Sequence, residues 1–521
     1  MSLVLGLDSS TQSLSAVVIN AESGTILAEV SLNFGSDFPE YNLESGFIPG
    51  GENGEVHANP LVWLDALDGV LAKLRDKNVP MGEIVAISGS GQQHGSVYLK
   101  ANFESCLENL AVDSLLSEQL APSLARETSP IWMDTSTSEE CAEITATLGG
   151  ADEVCRRSGS IAIERFTGPQ IRKFAKSDPV AWSETATVHL VSSFLASVLA
   201  GKSVAIDTGD GAGMNLMNLS SGDWDADLVN ATAENLAKKL PNLAPASTIG
   251  GTIASYFSEK YGMNENCQIV LWSGDNPCSL VGMGASQPGK IVISLGTSDT
   301  LFAAMPQPLT DPRGYGHVFG NPLGGYMSLI CFRNGSLSRE AVKDRFQLSW
   351  DDFDVSGLAR TQPGNGGRVI LPFVEDEITP RLTSTGFTPI GWEEEPTADE
   401  FVRGILEGQF LNMKRHSDWL GVETEEILLT GGASENDGIA QIIANVFCKK
   451  VRRLAVSGSA TLGAAMRAAV AMGANLAELE FAFSAPAEGA DVEPQEDLRS
   501  CYILLEKIFA DSLESRLNTA P

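Results

Sequence analysis

Two short stretches, far apart in the chain, share one pattern. Leu5-Gly6-Leu7-Asp8-Ser9-Ser10-Thr11 and Ser294-Leu295-Gly296-Thr297-Ser298 are each an apolar strand running into a turn of glycine and hydroxyl residues. In both cases a second apolar strand follows, Ser15 to Asn20 in the first and Leu301 to Met305 in the second. Strand, tight polar turn and strand make a hairpin. Two such hairpins, one per half of the chain, would offer backbone N–H and side-chain O–H donors that clamp a polyphosphate from two sides. Two unrelated hairpins would show the same residues, since Gly and Ser are common in turns.

Charge sharpens that reading. The 521 residues carry a formal net charge of −32. So negative a surface repels phosphate backbones and anionic lipid, which excludes a general nucleic-acid binder and disfavours a membrane surface. Any phosphate-bearing ligand must therefore be held locally, by backbone N–H groups, a helix N-terminus or a metal ion. Gly, at 51 residues, is more frequent than usual and suits many tight turns. The length allows roughly two to four domains. The 43% apolar content excludes disorder over most of the chain. None of the eight Cys has CxxC or zinc-finger spacing, so free thiols in a reducing compartment are expected. The first residues lack a basic segment followed by a long apolar one, and Ala460 to Ala477 is too short and polar to span a bilayer. A soluble cytoplasmic enzyme, monomer or homodimer, is the expectation.

Along the chain, Leu3 to Leu7, Ser15 to Asn20 and Thr25 to Leu32 read as a β-meander. Pro60 to Arg75 carries Leu at helical spacing, with Asn59 as its N-cap. Glu83 to Ser88 is a strand ending in a Gly-rich turn, residues 101 to 240 are mostly helical in pattern, and Gln268 to Trp272 is a buried strand. Ile427 to Thr430 is a strand followed by Gly431-Gly432-Ala433-Ser434 and a helix from Asn436 to Phe447, which puts backbone N–H groups at a helix start.

The familiar phosphate motifs fail. Gly201-Lys202-Ser203 lacks the earlier Gly of a P-loop, because that position is Ala196. Gly284 and Gly289-Lys290 have the Gly spacing, but Ile291 stands where a Ser or Thr must hold magnesium. No GxGxxG opens a helix after a strand, so a dinucleotide fold is unsupported.

Seven motifs in order give a resemblance: Gly6-Leu7-Asp8-Ser9-Ser10-Thr11-Gln12, Gly89-Ser90-Gly91-Gln92-Gln93-His94-Gly95, Trp132-Met133-Asp134, Glu164-Arg165-Phe166-Thr167-Gly168, Gly274-Asp275-Asn276-Pro277, Leu295-Gly296-Thr297-Ser298 and Thr430-Gly431-Gly432-Ala433-Ser434. They span residues 6 to 434, and together the chain resembles the FGGY carbohydrate kinases, particularly those acting on xylulose. One departure is visible: many members carry a basic residue soon after Trp-x-Asp, where this chain reads Asp134-Thr135-Ser136-Thr137. The resemblance implies an α/β fold of the actin-like, ribonuclease H-like kind, with two domains, mixed central sheets and a deep interdomain cleft. The expected domains are residues 1–265 and 266–521, the second carrying the catalytic base, the second phosphate hairpin and the adenine site.

It further implies ATP-dependent phosphorylation of D-xylulose to D-xylulose 5-phosphate, with Mg²⁺. Asp275 is the expected general base, since a carboxylate within reach accepts the proton of an otherwise poor hydroxyl nucleophile. His94, Gln93, Arg165, Asp275 and Asn276 are expected sugar ligands. Ser10, Thr11, Gly296, Thr297 and Ser298 are expected around the phosphates, with Trp350, Gly431, Gly432 and Asn436 around the base and ribose. Asp8 is the expected metal ligand, in keeping with the one or two carboxylates Mg²⁺ usually takes. Ribulose, L-xylulose or glycerol on the same fold are alternatives. An actin- or chaperone-type ATPase switch is a further one, though it needs neither sugar ligands nor an acceptor base. Intact Asp8 and Asp275 disfavour an inactive sugar sensor.

Overall fold

The computed structural model describes residues 3–454 and 458–519. The chain divides into two compact units, each made of several segments. The first comprises residues 1–286, 318–327 and 456–484, and the second residues 287–317, 328–455 and 485–521.

Among the described residues, the first unit is built on a seven-stranded mixed sheet. Its centre is the strand Leu3–Ser9, antiparallel to Ser13–Asn20 on one side and parallel to Ile84–Gly91 on the other. Thr25–Asn33 completes the meander at one edge, and Gln268–Val270 and Ile249–Thr252 extend the sheet beyond strand 84–91. The central strands are nearly continuous apolar runs because helices cover the sheet. Strand 3–9 is buried at every residue. Helix Pro60–Asp76 packs on one face through Val62, Leu67, Val70 and Leu74, and Asn59 caps it by accepting from the Leu61 N–H at 3.0 Å.

The other face receives a helix from late in the sequence, Ser459–Ala471, which lies on strand 3–9 and against the short helix Asp275–Gly282. The two helices cross backbone on backbone. A Cβ at Gly463 would sit 1.9 Å from the Cys278 carbonyl oxygen, and one at Gly282 would sit 2.0 Å from that of Ser459. Arg467, buried on this helix, donates to the carbonyls of Leu271 at 2.8 Å and Ala246 at 3.0 Å, backbone groups that lie outside the strands.

These contacts shift the domain division expected at 265/266. Gln268–Val270 and Ser273–Gly274 pair in parallel with strand 84–91, so residues 266–286, Asp275 included, pack in the first unit rather than the second. Residues 101–240 also hold more strand than their pattern suggests: Ser96–Lys100 pairs antiparallel with Thr185–Leu190.

The second unit repeats the theme. Lys290–Leu295 is antiparallel to Asp299–Met305 and parallel to Glu426–Gly431, which is parallel to Lys450–Leu454. Helices Ala398–His416 and Asp437–Phe447 pack together beside this sheet. Helix 398–416 opens with a capping box in which Thr397 and Glu400 exchange hydrogen bonds. None of the eight cysteines is joined in a disulfide. Among the described residues no helix is long and apolar enough to cross a membrane.

Candidate functional site

Parallel pairing of strands 3–9 and 84–91 brings the ends of both to one edge of the first sheet. The register sets Asp8 opposite Ser90, and Ser90 Oγ donates to Asp8 Oδ1 at 2.7 Å. Ser273–Gly274 runs beside the end of strand 84–91, so Asp275 opens its helix at the same edge. The Asp275 carboxylate accepts from the Asn276 N–H at 2.9 Å and from Asn276 Nδ2 at 3.1 Å. Burial raises the Asp275 carboxyl to about 6, against the opposing hydrogen bonds from Asn276 and the Gln93 N–H. Asp8 is raised further, to about 7, by burial first and then by the charge of Asp275, while the Ser90 bond opposes both.

Gln93 and Asn276 gather around Asp275, and His94 follows Gln93 in the chain. Asn276 Nδ2 also donates to Gln93 Oε1 at 2.9 Å, and Gln93 Nε2 is buried without a partner in the protein. Both polar atoms of the adjacent Gln92 are likewise unpartnered. His94 has φ +71°, rare for a residue with a side chain. Its ring stacks on Phe166 with centroids 4.2 Å apart. Nδ1 lies 2.8 Å from the Gly213 carbonyl, which can only accept, so Nδ1 carries the proton. Burial, and then the charge of Arg165, push the imidazole down to about 3. A neutral ring with Nδ1 occupied leaves Nε2 as an acceptor. An imidazole can in general donate or accept, and the local geometry leaves one role. Arg165, half-buried, places its guanidinium 5.5 Å from the Phe166 ring centre.

The turn after Asp8 is ordered by its own side chains. Ser10 Oγ donates to the Ser13 carbonyl at 3.0 Å, and Thr11 Oγ1 accepts from Trp132 Nε1 at 2.8 Å. The second bond ties the indole of the Trp132-Met133-Asp134 motif to this turn.

In the second unit, the turn Gly296-Thr297-Ser298 leaves Thr297 and Ser298 exposed. Beside it lies a cavity of about 580 Å³ lined by Leu295, Gly296, Trp350, Phe353, Gly432 and Asn436, within the size range of small-molecule sites. Gly431 has φ +94°, and a Cβ there would sit 2.3 Å from the Leu295 carbonyl oxygen, so the strand end closes only with glycine. Nothing lies within 4 Å of a Cβ built on Gly432, where the missing side chain leaves the cavity open. Asn436 caps helix 437–447, its Oδ1 accepting from the Ile439 N–H at 3.0 Å. Trp350 is 46% exposed and meets the Phe353 ring edge-on.

Asp8, Gln93, His94, Arg165, Asp275 and Asn276 thus belong to the first unit, and Gly296, Thr297, Ser298, Trp350, Gly431, Gly432 and Asn436 to the second. The sequence reading missed Gly213 and Phe353, and held Phe166 only as part of a motif, without its contact to His94. Phe353 stands one helical turn beyond Trp350, a spacing that could have found it. Gly213 acts through its carbonyl, which no residue type announces. Among the described residues no group of three or more His, Cys, Asp and Glu side chains is arranged to hold a metal. The two carboxylates Asp8 and Asp275, however, stand close enough for the charge of one to raise the other.

A fold of paired mixed-sheet units, one carrying a buried carboxylate among amide and imidazole ligands and the other a Gly-Gly cavity, is that of a phosphotransferase acting on a polyol. Residues 127–282 match the N-terminal domain, and 291–472 the C-terminal domain, of the FGGY family of carbohydrate kinases. The chain belongs to this family and has its actin-like ATPase fold. It is 41% identical over 488 residues to xylulose kinase 2 of Arabidopsis thaliana, covering 90% of this chain and 87% of that one. It is 37% identical to the xylulose kinase of Rattus norvegicus, covering 98% and 96% of the two chains. The crystal structure of xylulose kinase from Rhodospirillum rubrum matches the fold with a TM-score of 0.83 at 20% identity, over 98% of each chain.

Proposed function

We propose that this protein transfers the γ-phosphoryl group of ATP to D-xylulose, giving D-xylulose 5-phosphate and ADP. The observation that carries the reading is the surrounding of Asp275: a raised carboxyl at a helix start, held by Asn276 and the Gln93 N–H, with a neutral acceptor histidine next to Gln93 in the chain. Relatives named xylulose kinases, at 37–41% identity over nearly the whole chain, supply the sugar.

In the proposed reaction the C5 hydroxyl oxygen of the sugar forms a bond to the γ-phosphorus while the bond from that phosphorus to the β–γ bridging oxygen breaks. The hydroxyl proton passes to Asp275 and later to solvent. ADP leaves with the bridging oxygen. Phosphoryl transfer asks mainly for positioning and charge stabilisation, and the side chains divide that work. His94 Nε2 accepts from one sugar hydroxyl, Gln93 Nε2 and Arg165 donate to others, and Asn276 holds Gln93 against Asp275. Ser10, Thr11 and the Gly296-Thr297-Ser298 turn provide N–H and O–H donors for phosphate oxygens. Trp350 and Phe353 offer aromatic surface to the adenine, with Gly431 and Gly432 admitting the ribose.

The repulsion between Asp8 and Asp275 fits a divalent cation of the Mg²⁺ kind, which prefers one or two carboxylates together with phosphate oxygens. Asp8 would hold it, and when bound it supplies neutralising charge to the phosphates, which a chain of net charge −32 otherwise repels.

The test is ADP release measured with D-xylulose, L-xylulose, ribulose and glycerol, each with and without Mg²⁺. D-Xylulose should give the highest kcat/KM, and only with the metal. A panel in which another polyol wins would move the substrate, and ADP release independent of every sugar would end the kinase reading.

A further inference from the structure

The exposed tip Thr297-Ser298 is the part of the second hairpin offered to phosphate, and a mobile tip would be a poor anion cradle. Its two flanks are fixed by one buried ion pair. Arg339, on helix Ser336–Arg345, forks onto Asp299, with Nη1 to Oδ2 and Nη2 to Oδ1 both at 3.0 Å. The same Nη2 reaches the Gly296 carbonyl at 3.3 Å, and Asp299 Oδ1 accepts from the Gly296 N–H at 3.1 Å. Residues 296 and 299, on either side of the tip, are therefore held by one planar group. The N–H of Ser336 adds to this, donating to the carbonyls of Gly296 at 3.0 Å and Thr297 at 3.1 Å. Gln409 supports Arg339 from behind, accepting from Nη1 at 3.3 Å while its Nε2 donates to the carbonyls of Asn334 and Gly335.

Both members of the pair are buried, at 3% and 1% exposure. A buried ion pair is a poor source of stability, because desolvation offsets its attraction, and an apolar pair of similar volume often does as well. What an apolar pair cannot do is bind the N–H and the carbonyl of one residue while fixing a second residue three positions on.

We propose that Arg339 and Asp299 are positioning residues for phosphate binding: the clamp presets the Gly296-Thr297-Ser298 turn as a cradle for the nucleotide's terminal phosphates. This rests on the nucleotide reading of the second unit. Arg339, Ser336 and Gly296 also line the base cavity, beside Trp350, Phe353 and Gly432, but the polar bonds of the clamp go to the turn, so its loss weighs more on phosphate affinity than on nucleoside affinity.

The experiment compares dissociation constants for adenosine and for ADP with Mg²⁺, by calorimetry on the full-length protein. It uses wild type, Arg339→Lys, and the double variant Arg339→Met with Asp299→Leu. Lysine keeps the charge opposite Asp299 but cannot make the fork, and the double variant removes both charges together, which preserves folding better than removing one. Wild type should bind ADP more tightly than adenosine. In both variants that advantage should shrink by about tenfold or more, the cost of a cradle displaced by a fraction of an ångström, while adenosine affinity changes less and KM for D-xylulose stays near wild type. Variants that keep the ADP advantage, or that lose adenosine and ADP affinity in parallel, would overturn the clamp and leave the nucleotide site standing. A wild-type protein that bound neither ligand would remove the nucleotide reading and the clamp with it.

Discussion

A carboxylate that takes a proton from an alcohol must be ionised in the resting enzyme, yet Asp275 is held where burial lifts its carboxyl to about 6. Two outcomes follow from the same shift. As the proposed base, Asp275 should give kcat/KM an acid limb that falls as pH drops through about 6, read from a pH–rate profile with D-xylulose. For stability the sign is reversed. The folded-state pKa lies above the unfolded value, so the contribution of this group to folding is complete below about 4 and is lost as pH rises through about 6. Asp275→Asn should therefore lose turnover by several orders of magnitude and yet unfold at a higher temperature than wild type at pH 8. The gain should be roughly 1–3 kcal/mol, and it should vanish near pH 4. Equal melting temperatures at both pH values would show that the carboxyl is not strained by burial. His94 presents the opposite case. Its ring is already neutral across the working range, so His94→Gln should raise KM for D-xylulose by about 3–10-fold, the worth of one hydrogen bond, without altering the pH profile between 6 and 8. A new inflection near pH 6.5 in wild type that disappeared in this variant would contradict the tautomer assigned here.

Between elements, the tightest contact is the crossing of helices 275–282 and 459–471, where Gly282 and Gly463 meet. Gly463→Ala would place a methyl group 1.9 Å from a backbone carbonyl that cannot rotate away. It should cost about 1–3 kcal/mol or more, seen as a lower urea midpoint, and should also reduce kcat, because helix 275–282 begins with Asp275. Unchanged stability in this variant would mean the helices separate more easily than their packing indicates. What was legible in the sequence at this scale was local. The hairpins around Asp8 and Gly296 announce themselves through short apolar runs and turn residues within a dozen positions. Helix 60–76 does so through its Leu spacing and Asn59. Strand Thr185–Leu190 was not legible within a stretch of helical pattern, because its partner, Ser96–Lys100, lies far back in the chain. The role of Gly213 was hidden for a different reason: it acts through a backbone carbonyl, which no side-chain chemistry announces.

For the molecule as a whole, charge is the property with a measurable kinetic consequence. At −32 the protein repels ATP at long range, while D-xylulose, being neutral, feels no such field. Raising ionic strength from about 0.01 to 0.15 M shortens the Debye length from about 30 to 8 Å. KM for Mg-ATP should therefore fall over that interval while KM for D-xylulose stays constant, and a parallel drift of both would point to a salt effect on the fold. The order of segments in space was the least legible feature. The Ala-rich stretch near residue 465 looks helical, but nothing near it in the chain reveals that it covers the sheet begun by residues 3–9.

That arrangement bears on how the protein comes off the ribosome. The face of the sheet around Val4, Val17 and Ile19 packs on Leu462, Ala465 and Met466 of helix 459–471, so this apolar surface stays partly open until that helix emerges. Chaperone occupancy should persist until helix 459–471 has cleared the exit tunnel.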